Sequence, residues 1–219
     1  YSYRRKKITR KSFNDFSKWS ASIQYKMNLD IIFLITYSYF LGSIPFGLII
    51  TKIFLGKDIR NIGSGNIGTT NVLRTGKKTL AAATLLFDIL KGYLAIIITY
   101  KYFNDLVFLS ALMCFIGHIF PVWLKFKGGK GVATYLGIIL GISLMLGIIF
   151  VVVWLITTTI FKYSSVSSML SAMIVFIYSI LTSNEMQSYF LFIMLIIIIF
   201  THKENIIRLK NSTESKIKL

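Results

Sequence analysis

Residues 31–50 read IIFLITYSYFLGSIPFGLII, a stretch of twenty residues without a charged side chain. An α-helix rises about 1.5 Å per residue, so a helix of this length covers the roughly 30 Å hydrocarbon core of a bilayer. Pro45 lies toward the end of the stretch, where its ring is expected to kink the helix. The stretch therefore predicts a kinked membrane-spanning helix.

Similar apolar runs recur along the 219-residue chain, which is 55% hydrophobic and only 15% charged. The uncharged run 132–161 would be about 45 Å long as one helix, which exceeds the bilayer core. We therefore divide it near Gly147 into two spans. The pattern predicts an all-α integral membrane protein with about seven transmembrane helices. The remaining runs are 80–100, 106–124, 166–183 and 186–201.

Positive charge is distributed unevenly between these runs, and the formal net charge is +17. With seven spans, the segments 52–78, 125–130, 162 and 202–218 share one side of the membrane and hold 15 Lys and Arg residues, whereas the opposite loops hold only Lys101. The positive-inside rule then places these segments and the C-terminus in the cytoplasm, with the start of the first span outside. This distribution favours a plasma-membrane protein over a nucleic-acid-binding one.

The first 26 residues differ from the rest of the chain. They carry eight Lys and Arg residues against the single acid Asp15, on the side where the topology disfavours positive charge. Met27 is followed by Asn28, Leu29 and Asp30 and then by the first apolar run. We therefore interpret residues 1–26 as a basic extension that is not native and residues 27–219 as one membrane domain. The alternative is a basic arm that contacts anionic lipid.

A polar segment, NIGSGNIGTTNVLRTG at 61–76, lies between two apolar runs. Its glycines Gly63, Gly65 and Gly68 match the spacing G-x-G-x-x-G of dinucleotide-binding sites, and Asp88 follows at a suitable distance. That interpretation requires a strand before the glycines and a helix after them, whereas Asp88 lies inside an apolar run. The segment is therefore not a dinucleotide fingerprint.

The composition of this segment still suits an anion. Glycines allow backbone N–H groups to approach a ligand closely, and a helix N-terminus capped by Ser64 or Asn66 would attract phosphate. Arg74 can donate two parallel hydrogen bonds to a phosphate group. The alternative is an interfacial turn whose arginine only reaches toward water.

A second polar segment, FKGGKGVAT at 126–134, begins another apolar run. Lys127 and Lys130 can neutralise a phosphate there, although cytoplasmic lysines also occur simply as determinants of topology. His118 precedes the segment inside an apolar run, where a hydrogen bond between helices is a more common role than catalysis. The glycines that leave room for a phosphate are Gly128, Gly129 and Gly131.

A third polar segment, HKENIIR at 202–208, follows the last apolar run. His202 and Asn205 are three residues apart and share one face if the helix continues. An ordinary basic helix end is the alternative.

Four segments together resemble the bacterial acyl-phosphate:glycerol-3-phosphate acyltransferase family of the PlsY type, from residue 27 to about 215. Thr69 and Thr201 depart from the residues that are usual in the family, which are alanine and arginine. The resemblance implies an enzyme of phospholipid synthesis that transfers a fatty acyl group from acyl phosphate to the 1-hydroxyl of glycerol 3-phosphate, and releases lysophosphatidic acid and phosphate. The segments are GSIPFG (42–47), DIRNIGSGNIGTTNVLRTGK (58–77), GHIFPVWLKFKGGKGVAT (117–134) and HKENIIRL (202–209).

The resemblance also implies a site, which needs no metal, no cofactor and no acyl-enzyme intermediate. Its substrates are acyl phosphate and glycerol 3-phosphate. We expect the protein to be a monomer in contact with membrane lipid. The implied catalytic residues are Ser64, Arg74, Lys130, His202 and Asn205. The implied binding residues are Gly63, Gly65, Asn66, Gly68, Asn71, Lys127, Gly128, Gly129, Ser165 and Ser168, and Ser43 and His118 are further candidates.

Two other functional classes compete with an enzyme. An organophosphate transporter or channel would suit the basic loops and the intramembrane residues Asp88 and Lys91, but transporters commonly show internal repeats and polar groups at the membrane midplane. Because an unpaired charge within a membrane is costly, we expect Asp88 and Lys91 to form a structural pair. A protein that merely binds anionic lipid would explain the charge but not the asparagine and glycine pattern.

Overall fold

The computed structural model describes residues 10–182 and 185–217, with side chains from residue 27 onward. These residues form ten α-helices and three short 3-10 helices, without any β-strand. The α-helices are α1 Arg10–Ser43, α2 Phe46–Leu55, α3 Thr69–Leu73, α4 Lys78–Tyr102, α5 Val107–Ile119, α6 Val132–Ile142, α7 Leu144–Phe161, α8 Ser164–Leu181, α9 Glu185–Thr201 and α10 Lys203–Lys210. The 3-10 helices are Ile59–Asn61, Asn104–Leu106 and Val122–Leu124.

Five helical segments are long and apolar enough to cross a membrane, which confirms the predicted all-α membrane architecture. A sixth arises if α9 and α10, which are bent by 56° at their junction, count as one broken span. In the described ranges these segments are Met27–Leu55, Lys78–Tyr102, Asn104–Leu124, Leu144–Phe161, Ser164–Leu181, and Glu185–Thr201 with Lys203–Lys210.

The first span contains the break that the sequence predicts. Helix α1 ends at Ser43, and α2 begins directly after Pro45, whose φ is −90°. Helix α1 begins at Arg10 and continues through the boundary proposed at Met27. Residues 1–9 of the proposed extension lie outside the described residues.

The predicted division of run 132–161 is displaced. The break falls at Ser143, which is extended with a φ of −156°, whereas Gly147 lies inside α7. A Cβ atom at Gly147 would overlap the side chain of Leu140, so this glycine allows α6 and α7 to pack closely. Helix α6 has only 11 residues, about 16 Å at 1.5 Å per residue, which is shorter than the bilayer core.

Glycines bring the main helix pairs into close contact, as expected where helices pack in lipid. Helix α4 packs against α6, and α1 packs against α5. A Cβ at Gly137 of α6 would overlap the carbonyl oxygen of Ile89, and one at Gly92 of α4 would overlap that of Thr134. Gly42 makes the equivalent approach between α1 and α5. Substituting alanine would therefore push these helices apart.

Three buried polar side chains join the helices in the interior. The Lys91 ammonium lies 2.7 Å from Asp88 Oδ1 and 2.8 Å from His118 Nδ1, and it donates to the Ile44 carbonyl oxygen at 2.7 Å. This arrangement confirms the predicted Asp88–Lys91 pair. Since α4, α5 and the break between α1 and α2 meet here, the cluster fixes their relative positions.

Candidate active site

One cavity of about 400 Å³, which we call the amphipathic cavity, gathers residues from all three polar segments. Its polar lining comes from segment 61–76, the chain just before α6, the start of α8, and α10 with the chain on both sides of it. Helices α4, α6 and α7 contribute most of the apolar lining. Its polar side chains are Ser64, Asn66, Thr69, Thr70, Asn71, Arg74, Lys130, Ser164, Ser165, Ser168, His202, Asn205, Glu214 and Ser215. Its apolar side chains include Leu85, Val132, Leu136, Phe150, Val151, Trp154, Leu155 and Ile217.

Most of the residues predicted from sequence lie here. The five predicted catalytic residues all line the amphipathic cavity: Ser64, Arg74, Lys130, His202 and Asn205. The predicted binding residues in its lining are Asn66, Gly68, Asn71, Ser165 and Ser168.

The loop of segment 61–76 is organised around one buried side chain. Asn71 Oδ1 accepts the backbone N–H of Ser64 at 3.0 Å, while its Nδ2 donates to the carbonyl oxygens of Ile59, Ile62 and Asn66 at 2.8–3.0 Å. The amide group of Asn71 is therefore committed to the loop backbone. Its contribution to a bound ligand is to hold this loop in shape.

The start of α3 differs from the sequence expectation. Gly68, rather than Ser64 or Asn66, is the residue that caps α3. Asn66 Oδ1 instead accepts the N–H of Gly68 at 2.9 Å within the loop. Gly65 has a φ of +71°, a conformation that glycine adopts without steric cost. The loop thus turns tightly just before α3 and presents Ser64 to the cavity.

Lys130, Asn205 and His202 form the opposite part of the polar wall. The Lys130 ammonium donates to Asn205 Oδ1, and burial lowers the pKa of Lys130 to about 8. His202 Nδ1 lies 2.8 Å from the carbonyl oxygen of Ile198, which can only accept, so Nδ1 carries the proton. In the neutral ring Nε2 is then free to accept a proton or a hydrogen bond.

The tail after α10 contributes a carboxylate that the sequence analysis missed. Glu214, with a side chain only 6% exposed, accepts from Ser165 Oγ at 3.0 Å, Asn205 Nδ2 at 2.6 Å and Arg208 Nε at 2.7 Å. Burial raises the pKa of Glu214, but the hydrogen bonds from Arg208, Asn205 and Ser165 outweigh it and hold the pKa below its ordinary value. A single acid between two lysines of a polar tail was the available signal.

The same tail reaches the other side of the cavity. Ser215 Oγ accepts a hydrogen bond from Arg74 Nη2, and the Ile217 N–H donates to the Lys162 carbonyl oxygen at 2.8 Å. These contacts hold residues 213–217 across the polar wall. The tail is therefore part of the site.

The polar and apolar linings meet at Trp154 of α7. Its indole N–H donates to Ser168 Oγ at 3.2 Å, and Ser168 in turn donates to the carbonyl oxygen of Ser164 at 2.8 Å. The remainder of the indole lies among the apolar residues of the lining. A ligand with a charged head and an apolar chain fits this division.

A second cavity of about 790 Å³, which we call the basic cavity, lies beside the first and shares Ser64, Asn66 and Lys130 with it. The predicted binding residues Gly65, Lys127 and Gly128 line this second cavity. The rest of its lining is Arg60, Trp123, Leu124, Lys125, Thr201, Glu204 and Arg208.

Two predicted glycines line neither cavity but pack closely against other side chains. A Cβ at Gly63 would overlap Asn71 Oδ1 and would lie 2.9 Å from Arg74 Cδ. A Cβ at Gly129 would overlap the imidazole of His118. Both glycines therefore make room for neighbouring side chains.

Ser43 and His118, the two further candidates, also lie outside the lining of both cavities. Ser43 Oγ donates to the carbonyl oxygen of Phe40 at 2.8 Å, within its own helix. His118 belongs to the buried cluster with Lys91. The structure thus gives both residues contacts inside the helical bundle.

The fold and the site define a class: an integral membrane protein whose cavity joins a cationic polar wall to an apolar wall. Among the described residues, no group of three or more His, Cys, Asp and Glu side chains is placed to hold a metal ion. Comparison with known proteins then identifies the family. The model of the glycerol-3-phosphate acyltransferase family matches residues 32–212, and the chain belongs to that family.

Individual relatives agree with this assignment. The chain is 54% identical over 182 residues to the glycerol-3-phosphate acyltransferase of Pelagibacter ubique, covering 83% of this chain and 95% of that protein. It is 48% identical over 191 residues to the glycerol-3-phosphate acyltransferase of Brucella anthropi, covering 87% of this chain and 95% of that protein.

Solved structures agree as well. The crystal structure of PlsY (YgiH), an integral membrane glycerol 3-phosphate acyltransferase, in its glycerol 3-phosphate form has a TM-score of 0.81 at 34% identity, covering 86% of this chain and 96% of that chain. Its lysophosphatidic acid form has a TM-score of 0.79 at 32% identity. The family resemblance drawn from the sequence motifs is confirmed.

Proposed function

We propose that this chain transfers a fatty acyl group from acyl phosphate to the 1-hydroxyl of glycerol 3-phosphate, giving lysophosphatidic acid and phosphate for phospholipid synthesis. Family membership supports the reaction class. The observation that carries the proposal is the amphipathic cavity, which joins Arg74 and Lys130 to an apolar wall from three helices. One substrate of this reaction is fully water-soluble and the other carries a long apolar chain, so both linings are needed.

The polar wall suits the binding of glycerol 3-phosphate. Arg74 and Lys130 supply charge and N–H donors to its phosphate group, and Ser64 and Asn205 supply neutral polar groups beside them. The acyl chain then extends along the apolar wall past Trp154. This arrangement holds the hydroxyl of one substrate near the carbonyl carbon of the other, which converts an encounter of two molecules into an intramolecular step.

The chemistry requires no covalent enzyme intermediate. The 1-hydroxyl oxygen attacks the carbonyl carbon of acyl phosphate, an ester bond forms, and the bond from the acyl carbon to the phosphate oxygen breaks. Inorganic phosphate leaves with the bonding electron pair, and the hydroxyl proton passes to a phosphate oxygen or to His202 Nε2. Cations at the polar wall stabilise the negative charge that develops on the leaving phosphate.

The proposed catalytic unit is residues 27–219, a monomer in the plasma membrane with α6 as a short seventh span. The cavity faces the cytoplasm, and the start of the first span lies outside. The positive-inside distribution of Lys and Arg supports this orientation. The basic extension, residues 1–26, takes no part in catalysis.

A transporter is not supported by these findings. The family to which the chain belongs is an acyltransferase family. The intramembrane pair that would suit transport, Asp88 and Lys91, is buried and engaged in the interior of the bundle.

The test is a turnover assay on the purified protein in lipid or detergent. Palmitoyl phosphate is supplied with and without glycerol 3-phosphate, palmitoyl-CoA is supplied in parallel, and phosphate and lysophosphatidate are measured. Phosphate release that requires glycerol 3-phosphate, with lysophosphatidate formed and no product from palmitoyl-CoA, is the expected result. A folded sample that releases no phosphate from acyl phosphates of several chain lengths would exclude the proposed reaction.

A further inference from the structure

Apart from Ser64 and Lys130, the lining of the basic cavity has no role in the reaction as described so far. It is the larger of the two cavities, and Lys130 lines both. Its lining contains the cations Arg60, Lys125, Lys127, Lys130 and Arg208 against one acid, Glu204. A concave surface with one sign of charge concentrates ions of the opposite sign and accelerates their association.

Two exposed cations of this lining have no carboxylate partner. Within the described part of the chain, Arg60 pairs with Asp58 at 2.6 Å and Arg208 pairs with Glu214 at 2.7 Å, whereas Lys125 and Lys127 have no carboxylate partner. Both lysines are exposed. Their charge is therefore available to an anion that enters from water.

The backbone that carries these lysines adopts an unusual conformation. Lys125 and Phe126 have φ angles of 52° and 60°, in the left-handed region that residues other than glycine rarely adopt. The turn is held by hydrogen bonds from Lys125 N–H to the Val122 carbonyl oxygen at 3.1 Å and from Gly128 N–H to the Ile119 carbonyl oxygen at 2.9 Å. Strain of this kind persists where the surrounding structure enforces it, and it clusters at ligand sites.

We propose that the basic cavity captures the phosphate monoester substrate from water and delivers it past Lys130 to the amphipathic cavity. This inference rests on the proposed function, and its ligand is glycerol 3-phosphate. Lys125 acts as a capture residue that attracts the phosphate dianion without touching the reacting atoms. The acyl donor, which arrives from the membrane along the apolar wall, does not use this route.

The test compares Lys125→Glu and Lys125→Asn with wild type and with the control Lys57→Gln. Lys57 is an exposed lysine that lines neither cavity. Asparagine tolerates the left-handed conformation, so Lys125→Asn removes the charge with little effect on the turn. Initial rates are measured against glycerol 3-phosphate at saturating palmitoyl phosphate, at low and at high salt, and thermal unfolding checks the fold of each variant.

We expect Lys125→Glu to raise the KM for glycerol 3-phosphate about fivefold at low salt, and Lys125→Asn to raise it about twofold, because steering depends on net charge. In about 0.5 M salt the difference from wild type shrinks, because screening shortens the range of the attraction. The KM for palmitoyl phosphate and kcat stay at the wild-type values, as does every constant of Lys57→Gln.

Two results would overturn the inference. One is an unchanged KM for glycerol 3-phosphate in Lys125→Glu. If only inhibition by inorganic phosphate changes in that variant, the cavity serves product release and the inference is equally wrong. The other is a KM increase that persists undiminished at high salt. Neither result touches the proposed reaction, which fails only if wild type and Lys57→Gln form no lysophosphatidate.

Discussion

The amphipathic cavity and the buried cluster of Asp88, Lys91 and His118 both place charged groups beside apolar helices, but they differ in how those charges are satisfied. Asp88, Lys91 and His118 are 2–4% exposed and bond to one another. Arg74, in contrast, is exposed and donates only to the neutral hydroxyl of Ser215, without a carboxylate partner among the described residues. A charged side chain whose hydrogen bonds are made to protein partners holds the fold together, whereas a charged side chain with unused donors at a cavity can bind a ligand.

Removing Arg74 should have the largest effect on catalysis. We expect Arg74→Ala to lower kcat/KM for glycerol 3-phosphate by about 10²-fold or more, because a guanidinium that holds a phosphate supplies several kcal/mol. Its thermal unfolding should match wild type, since Arg74 lies at the surface of the cavity. Wild-type activity in a folded Arg74→Ala sample would contradict the assigned role, and Lys57→Ala serves as the matched control.

Breaking the buried cluster should instead affect stability. Asp88→Leu leaves the Lys91 ammonium buried beside His118 without its counterion, which costs about 3–5 kcal/mol of unfolding free energy. Replacing both charges, in Asp88→Leu with Lys91→Leu, should recover much of that loss. Thermal unfolding in detergent measures the first effect, and the KM of the surviving folded enzyme should stay unchanged. A selective rise in KM at full stability would mean that the cluster contacts substrate.

Glu214 lies between these two extremes, because its carboxylate is buried and engaged yet lines the cavity. We expect Glu214→Gln to lower kcat about tenfold, since the carboxylate that orients the Asn205 amide toward Lys130 is lost. Glu185→Gln, at the start of α9, is the control. Turnover at saturating substrates provides the measurement, and an unchanged kcat in Glu214→Gln would show that the tail is dispensable for the reaction.

The smallest expected effect is on the pH profile. Burial lowers the pKa of Lys130 to about 8, and the Glu214 carboxylate partly opposes this shift. As pH rises through about 8, Lys130 loses its proton, so kcat/KM for glycerol 3-phosphate should fall. In Glu214→Gln the opposing charge is gone, and the falling limb should move to lower pH. If the falling limb lies at the same pH in both enzymes, the group that titrates is not Lys130.

Part of the site was predictable, because cationic loops and glycine-rich segments can be recognised in the sequence itself. In the predicted topology, an even number of spans separates the polar segments that carry Ser64, Arg74, Lys130 and Asn205, so that topology places them on one face of the membrane. The break at Pro45 follows equally from the missing N–H and the ring of proline. These features depend on local chemistry and on the alternation of spans.

Other features depend on long-range packing and were missed. Gly147 resembles a helix breaker in sequence, but it lies where α7 approaches Leu140, and the break falls at Ser143. The return of Glu214 into the cavity requires the turn at Ser212, with a φ of +58°, which α10 positions. Neither contact leaves a periodic signal along the chain.

The measurement that tests the contrast most directly is equilibrium binding of glycerol 3-phosphate to three purified proteins: wild type, Arg74→Ala, and Asp88→Leu with Lys91→Leu. We predict that Arg74→Ala loses binding by at least about tenfold in Kd, because the phosphate loses its guanidinium partner. The double variant should keep the wild-type Kd. Wild-type binding by Arg74→Ala would contradict the assignment of the amphipathic cavity as the substrate site. Loss of binding in the folded double variant alone would contradict it as well.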